Sequence, residues 1–226
     1  MILANTRGQL TERDLQLVLL LLSRGSPIRR LRLERLLATE GPDPLLDDPA
    51  LPDGLLAVRT IIVPSEVLFF YVMVRHSLRR AGVDDRELAD YLSAMLREFG
   101  RRDRACRIDW NDDQQHRYLI DIVADLDATE GERRFKVLIH LGNYSLWLAG
   151  LFPDYIAARR LRKGGPDVSY YDAMGQRGYA LASDHVLADR YNLEAVLRLA
   201  AHRFASVRSA LNAVSARMLF PVRFAN

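Results

Sequence analysis

The sequence predicts an all-α protein, and three observations carry that prediction. Apolar residues recur at helical spacing along most of the chain, as in Leu88, Tyr91, Leu92, Met95, Leu96 and Phe99. The breaks between such stretches hold helix starts and stops, with Ser, Thr or Asp before and Gly or Pro after. Only Leu55 to Val63 (LLAVRTIIV) is β-branched enough to offer a strand or extended segment, and it ends at Pro64. A compact domain of about ten helices, with an N-terminal helical hairpin and at most one short strand, is therefore expected.

The elements follow in order. Thr11 opens T-E-R-D, an N-cap with an acid three residues on, and Gly25 closes the apolar run, which predicts a helix over Thr11–Arg24. Ser26-Pro27 then pairs a cap with proline in the first turn, and a second helix runs over 28–40 to Gly41. Residues 1–40 thus read as a helical hairpin. Gly41 to Gly54 (GPDPLLDDPALPDG) holds four prolines, four aspartates and two glycines, so it reads as a linker or surface loop and not as a helix. With the extended segment it fills residues 41–64, and residues 65–226 form the main helical domain.

There, Ser65-Glu66 opens a helix ending near Arg80, and Asp84 caps the next, which ends at Phe99 before Gly100. A polar stretch follows over Arg101–Asp113. Further helices are predicted at Asp112–Ala128, Glu132–Leu151, Pro153–Arg162, Pro166–Ser183, Asn192–Ala205 and Val207–Met218.

Composition excludes several classes of function. Apolar residues at 49% and charged residues at 27% rule out wholesale disorder, and a net charge of +3 rules out a polyelectrolyte that coats nucleic acid. Cys106 is the single cysteine, which excludes an intrachain disulfide framework, a four-cysteine zinc site and a cysteine-held iron–sulfur cluster. Lys136 and Lys163 are the only lysines among 32 basic residues, an arginine-rich balance that fits a GC-rich bacterial genome. The apolar runs Leu15–Leu22 and Val67–Val74 are too short to span a bilayer, which needs about 20 residues, so a cytoplasmic protein is expected.

The stretch Glu132–Leu151 is apolar nearly all round, the mark of a central helix. One edge breaks the pattern. Arg133, Lys136, His140 and Asn143 share a face that continues to Trp147. Buried charges without partners are costly, so this edge must meet water, a polar network or a ligand.

An arginine followed a few residues later by histidine on a helix resembles the motif of the HEPN ribonucleases. Both Arg133 and Arg134 stand at that spacing from His140, and Arg133 shares its face. The resemblance covers eight residues, Arg133 to His140, and implies an RNA-cleaving dimer in which the arginine and histidine act on a phosphodiester. In that family a polar residue usually follows the arginine; here Arg134 follows Arg133, whereas Phe135 follows Arg134.

Other segments offer binding more than chemistry. Phe152-Pro153-Asp154-Tyr155 makes a tight corner, and Arg159, Arg160, Arg162 and Lys163 crowd the end of the helix it opens, where the helix dipole favours cations. Tyr170, Tyr171 and Tyr179 surround Gly175 and Gly178; Tyr171, Gly175, Gly178 and Ala182 share one face, which invites close approach of another helix. Asp109, Asp112 and His116 could share a face, but acids at a helix start have capping roles, so no metal or other cofactor is assigned. Arg104 and Arg107 flank Cys106, a setting that lowers a thiol pKa, yet no partner histidine accompanies it.

The N-terminal hairpin, with Arg29, Arg30, Arg32 and Arg35 on its second helix, has the outline of a nucleic-acid reader. Asp43, Asp47, Asp48 and Asp53 follow at once and oppose phosphate. The expectation is a protein-interaction or regulatory module rather than an enzyme. Its partner is a protein or a second copy, and its surface includes Lys136, Asn143, Trp147, Phe152, Tyr155, Tyr170, Tyr171 and Tyr179. The RNA-cleaving dimer and the nucleic-acid-binding hairpin are the alternatives, and no membrane partner is expected.

Overall fold

The computed structural model describes residues 2–58 and 63–218. Among these residues it is 75% helical, with thirteen α-helices and no strand. The caps read from the sequence start the first two helices. The Thr11 side chain accepts the Asp14 N–H while the Asp14 carboxylate accepts the Thr11 N–H, and α1 (Glu12–Ser23) follows. Arg24 and Gly25, both at positive φ, turn the chain into the Ser26 cap and α2 (Pro27–Glu40). α1 contributes Leu17, Val18, Leu19 and Leu22 to the core, whereas α2 buries no residue.

The proline- and aspartate-rich stretch is a correction. It forms α3 (Asp43–Leu46) and leads into α4 (Leu51–Val58), placing Leu45, Leu46, Leu51 and Leu55 in the interior. Pro44 and Pro52 fall in first turns, Pro42 is the N-cap of α3 and Pro49 lies in the turn between α3 and α4, so no proline removes an intrahelical N–H bond and none opposes helix formation. The expected strand is also corrected over Leu55–Val58, which is helical because Leu55 packs inward; residues 59–62 lie outside the described residues.

α5 (Glu66–Arg80) and α6 (Arg86–Phe99) pack together. Asp85, and not Asp84, caps α6, because Asp84 is drawn to Arg75 at 2.5 Å. Arg75 is almost fully buried, and its guanidinium also grips Asp47 through two bonds of 2.8 and 3.1 Å.

The next helix begins later than its spacing predicts, at Leu119 (α7, Leu119–Asp127). The residues before it are recruited elsewhere: Arg104–Cys106 makes a 3₁₀ turn, and Asp112 folds back to accept the Asp109 N–H. α8 (Gly131–Leu151) is the central rod and packs on α6, α7, α9 (Pro153–Lys163), α10 (Val168–Ser183) and α13 (Phe204–Met218). The helix expected over Asn192–Ala205 is present as α12 (Glu194–His202), and a short helix not expected from the sequence, α11 (Val186–Arg190), precedes it. Asn192 in the left-handed region separates them.

α8 and α10 approach closely enough to forbid side chains at the crossing. A Cβ on Gly178 would lie 2.8 Å from the Gly142 nitrogen and 2.9 Å from the Leu138 oxygen, both backbone atoms. A Cβ on Gly175 would meet the Phe204 ring at 2.2 Å. The glycines on α10 are therefore explained by helix contact, which offsets their cost in a helix interior.

Candidate functional site

The polar edge of α8 is answered from within the molecule. The segment 101–118 folds over it and supplies carboxylates, helped by α7. Arg133 bonds Asp112 with one arm, at 2.8 and 2.9 Å, and Asp125 with the other, at 2.8 Å. Lys136 bonds Asp109 at 2.8 Å and Glu132 at 3.0 Å, and these bonds raise the lysine pKa while the lysine lowers that of Asp109. Arg134 points away and donates to the carbonyls of Leu126 and Thr129, holding the end of α7.

Further along the edge the environment is dry. His140 is 3% exposed, and its Nε2 has no hydrogen-bond partner. Burial, with help from Arg104, His116 and Arg133, drops its pKa to about 3, the Ala105 backbone only partly offsetting this, so the ring is neutral at physiological pH. His116 is also fully buried; its Nε2 stands 3.4 Å from Asp125 without the geometry of a hydrogen bond. Arg104 closes this chamber with its guanidinium between the rings of Phe99 and Trp110, 6.0 and 5.6 Å from their centroids. The cavity there is about 10 Å³, enough for one water and nothing larger.

Asn143 ends the polar part of the edge. Its Oδ1 accepts hydrogen bonds from Tyr91 and Tyr179, both at 2.8 Å, and all three side chains are buried. Tyr179 is thus a core residue, as is Tyr171, while Tyr170 packs half-buried against it. The tyrosines of α10 do not form an open wall.

Asp109 and Asp112 are engaged by Lys136 and Arg133, and among the described residues no group of three or more His, Cys, Asp and Glu is placed to hold a metal ion. Cys106 is corrected: burial pushes its thiol pKa up and outweighs the nearby Arg117 and Arg107.

The accessible features lie at the corner after α8. Trp147 stacks edge-on against Phe99 and Phe152, and these rings with Phe70, Leu96 and Val214 line an apolar recess of about 320 Å³. On α9, Tyr155 stands 53% exposed and faces Tyr118, which is 50% exposed. Arg159 lies over the Tyr118 ring at 4.6 Å, and Arg162 and Lys163 complete a recess of about 270 Å³. None of these three cations pairs with a carboxylate among the described residues.

Of the predicted site residues, the structure therefore commits Arg133 and Lys136 to half-buried ion pairs, seals His140 in the interior, sets Asn143 between two buried tyrosines and leaves Tyr155 in the open. Tyr118 had no sequence signal of its own, since it fell within the helix expected over Asp112–Ala128 and lies 37 residues from its neighbour Tyr155. Arg159, Arg162 and Lys163 were visible as a cluster, but a helix C-terminus explains such a cluster by itself. No protein-family model, no curated protein and no solved structure matches the chain.

Proposed function

We propose that the protein is an interaction module whose corner at Tyr118, Tyr155, Arg159, Arg162 and Lys163 binds an acidic segment of a protein partner. One observation carries this reading: two exposed tyrosines and three cations without carboxylate partners among the described residues converge on one recess. Tyrosine and arginine are the residue types that anchor protein interfaces, and free cations at the rim select for negative charge. The edge of α8 offers less. Arg133 is committed to two carboxylates and His140 is sealed below the surface, so the RNA-cleaving dimer draws no support from this geometry.

A labelled peptide of glutamate and leucine tests the proposal, with a single-stranded oligonucleotide of equal charge as competitor. Binding should weaken at least tenfold, about 1.4 kcal/mol, in Arg159→Glu and in Tyr155→Ala. Unchanged affinity in both variants, or clear preference for the oligonucleotide at this corner, overturns it.

A further inference from the structure

We infer that the groove between α2 and the turn at residues 48–50 binds the phosphodiester backbone of a nucleic acid. Arg24, Arg29, Arg32 and Arg35 line this groove, whose volume is about 600 Å³. All four are exposed, and none forms an ion pair with a described residue. Arg29, Arg32 and Arg35 recur every three residues, rising about 4.5 Å per step while turning about 120° in all around α2, and all three still reach the groove. Guanidinium groups in such a row each present a planar fork of donors to successive phosphates.

The sequence objection to this reading was the run of aspartates after the hairpin, and the fold removes most of it. Asp47 is engaged by Arg75 and by Arg86, each through bonds shorter than 3.2 Å, and Asp43 pairs with Arg7 at 3.2 Å and with Arg86 at 3.5 Å. Asp53 pairs with Arg217. Only Asp48 lines the groove, and its carboxylate accepts the Ala50 N–H at 2.9 Å. Arg7, Arg75, Arg86 and Arg217 thus pair with Asp43, Asp47 and Asp53, and the arginines of the groove are left without an ion-pair partner among the described residues. The floor of Leu22, Leu33 and Leu36 gives apolar surface for sugar and base, which an inorganic anion would not use.

α2 buries no residue, so charge reversal on its outer face leaves the core intact. Fluorescence anisotropy of short labelled strands therefore reads binding directly, with single-stranded DNA, single-stranded RNA and duplex DNA as separate arms. Four phosphate contacts predict a slope of log K against log salt of about −2.8 for a single strand or about −3.6 for a duplex. Arg29→Glu/Arg32→Glu should weaken binding more than tenfold, and Arg32→Ala should reduce the slope by about 1. Arg198→Glu, on α12 and away from the groove, should leave affinity within twofold. The inference fails if no arm binds at low salt, if Arg198→Glu costs as much as the groove variant, or if an acidic peptide displaces the strand from this groove at equal charge. These variants leave Tyr155 and Arg159 untouched, so failure here and failure at the α9 corner are separate results.

Discussion

α8 and α2 carry similar charge-bearing sequences and meet opposite fates. α8 holds Arg133, Arg134, Lys136 and His140, and it buries 14 of its 21 residues, with every one of those side chains engaged or sealed. α2 holds four arginines in 14 residues and buries none. The difference lies in what packs above each helix. The segment 101–118 and α7 bring Asp109, Asp112 and Asp125 to α8, whereas α2 faces solvent along a groove that contains one aspartate. Charge on a helix becomes architecture where the fold supplies its counter-charge, and surface chemistry where it does not.

Asn143 offers the strongest way to break that contrast. Its single oxygen satisfies two buried hydroxyls, Tyr91 and Tyr179, which belong to α6 and α10. Asn143→Leu keeps the branched four-atom shape but strands both donors, at a cost of about 1–3 kcal/mol each, or about 4 kcal/mol together. A chain of this size should lose roughly 8–16 °C in Tm. Adding Tyr91→Phe and Tyr179→Phe removes the orphaned groups, and the triple variant should recover most of the loss. Thermal unfolding that shows no loss in the single variant would mean that the α8 edge is not structural.

His140 sharpens the contrast through pH. Its folded-state pKa of about 3 lies below the value near 6.5 expected in the unfolded chain. Between those limits the unfolded state binds the proton and the folded state does not, so stability falls as pH falls through that window. The slope from this one group is about 1.4 kcal/mol per pH unit. His140→Phe, set among Phe99, Tyr144 and the neighbouring apolar residues, should have a shallower acid dependence than the native chain. Parallel denaturant midpoints from pH 6.5 to pH 4 in the two proteins would show that the ring is charged or exposed, and the sealed chamber would go with it.

The helical class and the capped starts at Thr11 and Ser26 were legible because they depend on neighbours in sequence. So was the demand that something answer the edge of α8. Its respondents were not legible: Asp109 lies 27 residues from Lys136 and Asp112 lies 21 from Arg133, in a stretch without periodicity. α3 and α4 were missed for the same reason. Proline counted against helix, while the burial of Leu45, Leu46, Leu51 and Leu55, which outweighs it, depends on contacts with distant elements. Of the candidate sites, Tyr155 and the basic end of α9 could be read from sequence. That Tyr118 completes them, and that Asp43, Asp47 and Asp53 are turned away from α2, follows only from tertiary structure.

The smallest expected effect is on the α2 side of the comparison. Arg29→Ala/Arg32→Ala removes two charges that pair with nothing described, from a helix whose N-cap, Ser26 to the Arg29 N–H at 3.3 Å, uses only backbone at that position. Alanine is also the better helix former, which offsets the arginine stems lost from the groove wall. Stability should therefore change by no more than about 0.5 kcal/mol in either direction, and a small gain at low salt is the favoured sign because like charges on one face repel. Chemical denaturation at low and high salt reads this directly. A loss well beyond that range would place the arginines in the architecture of the hairpin, and α2 would then belong with α8 rather than against it.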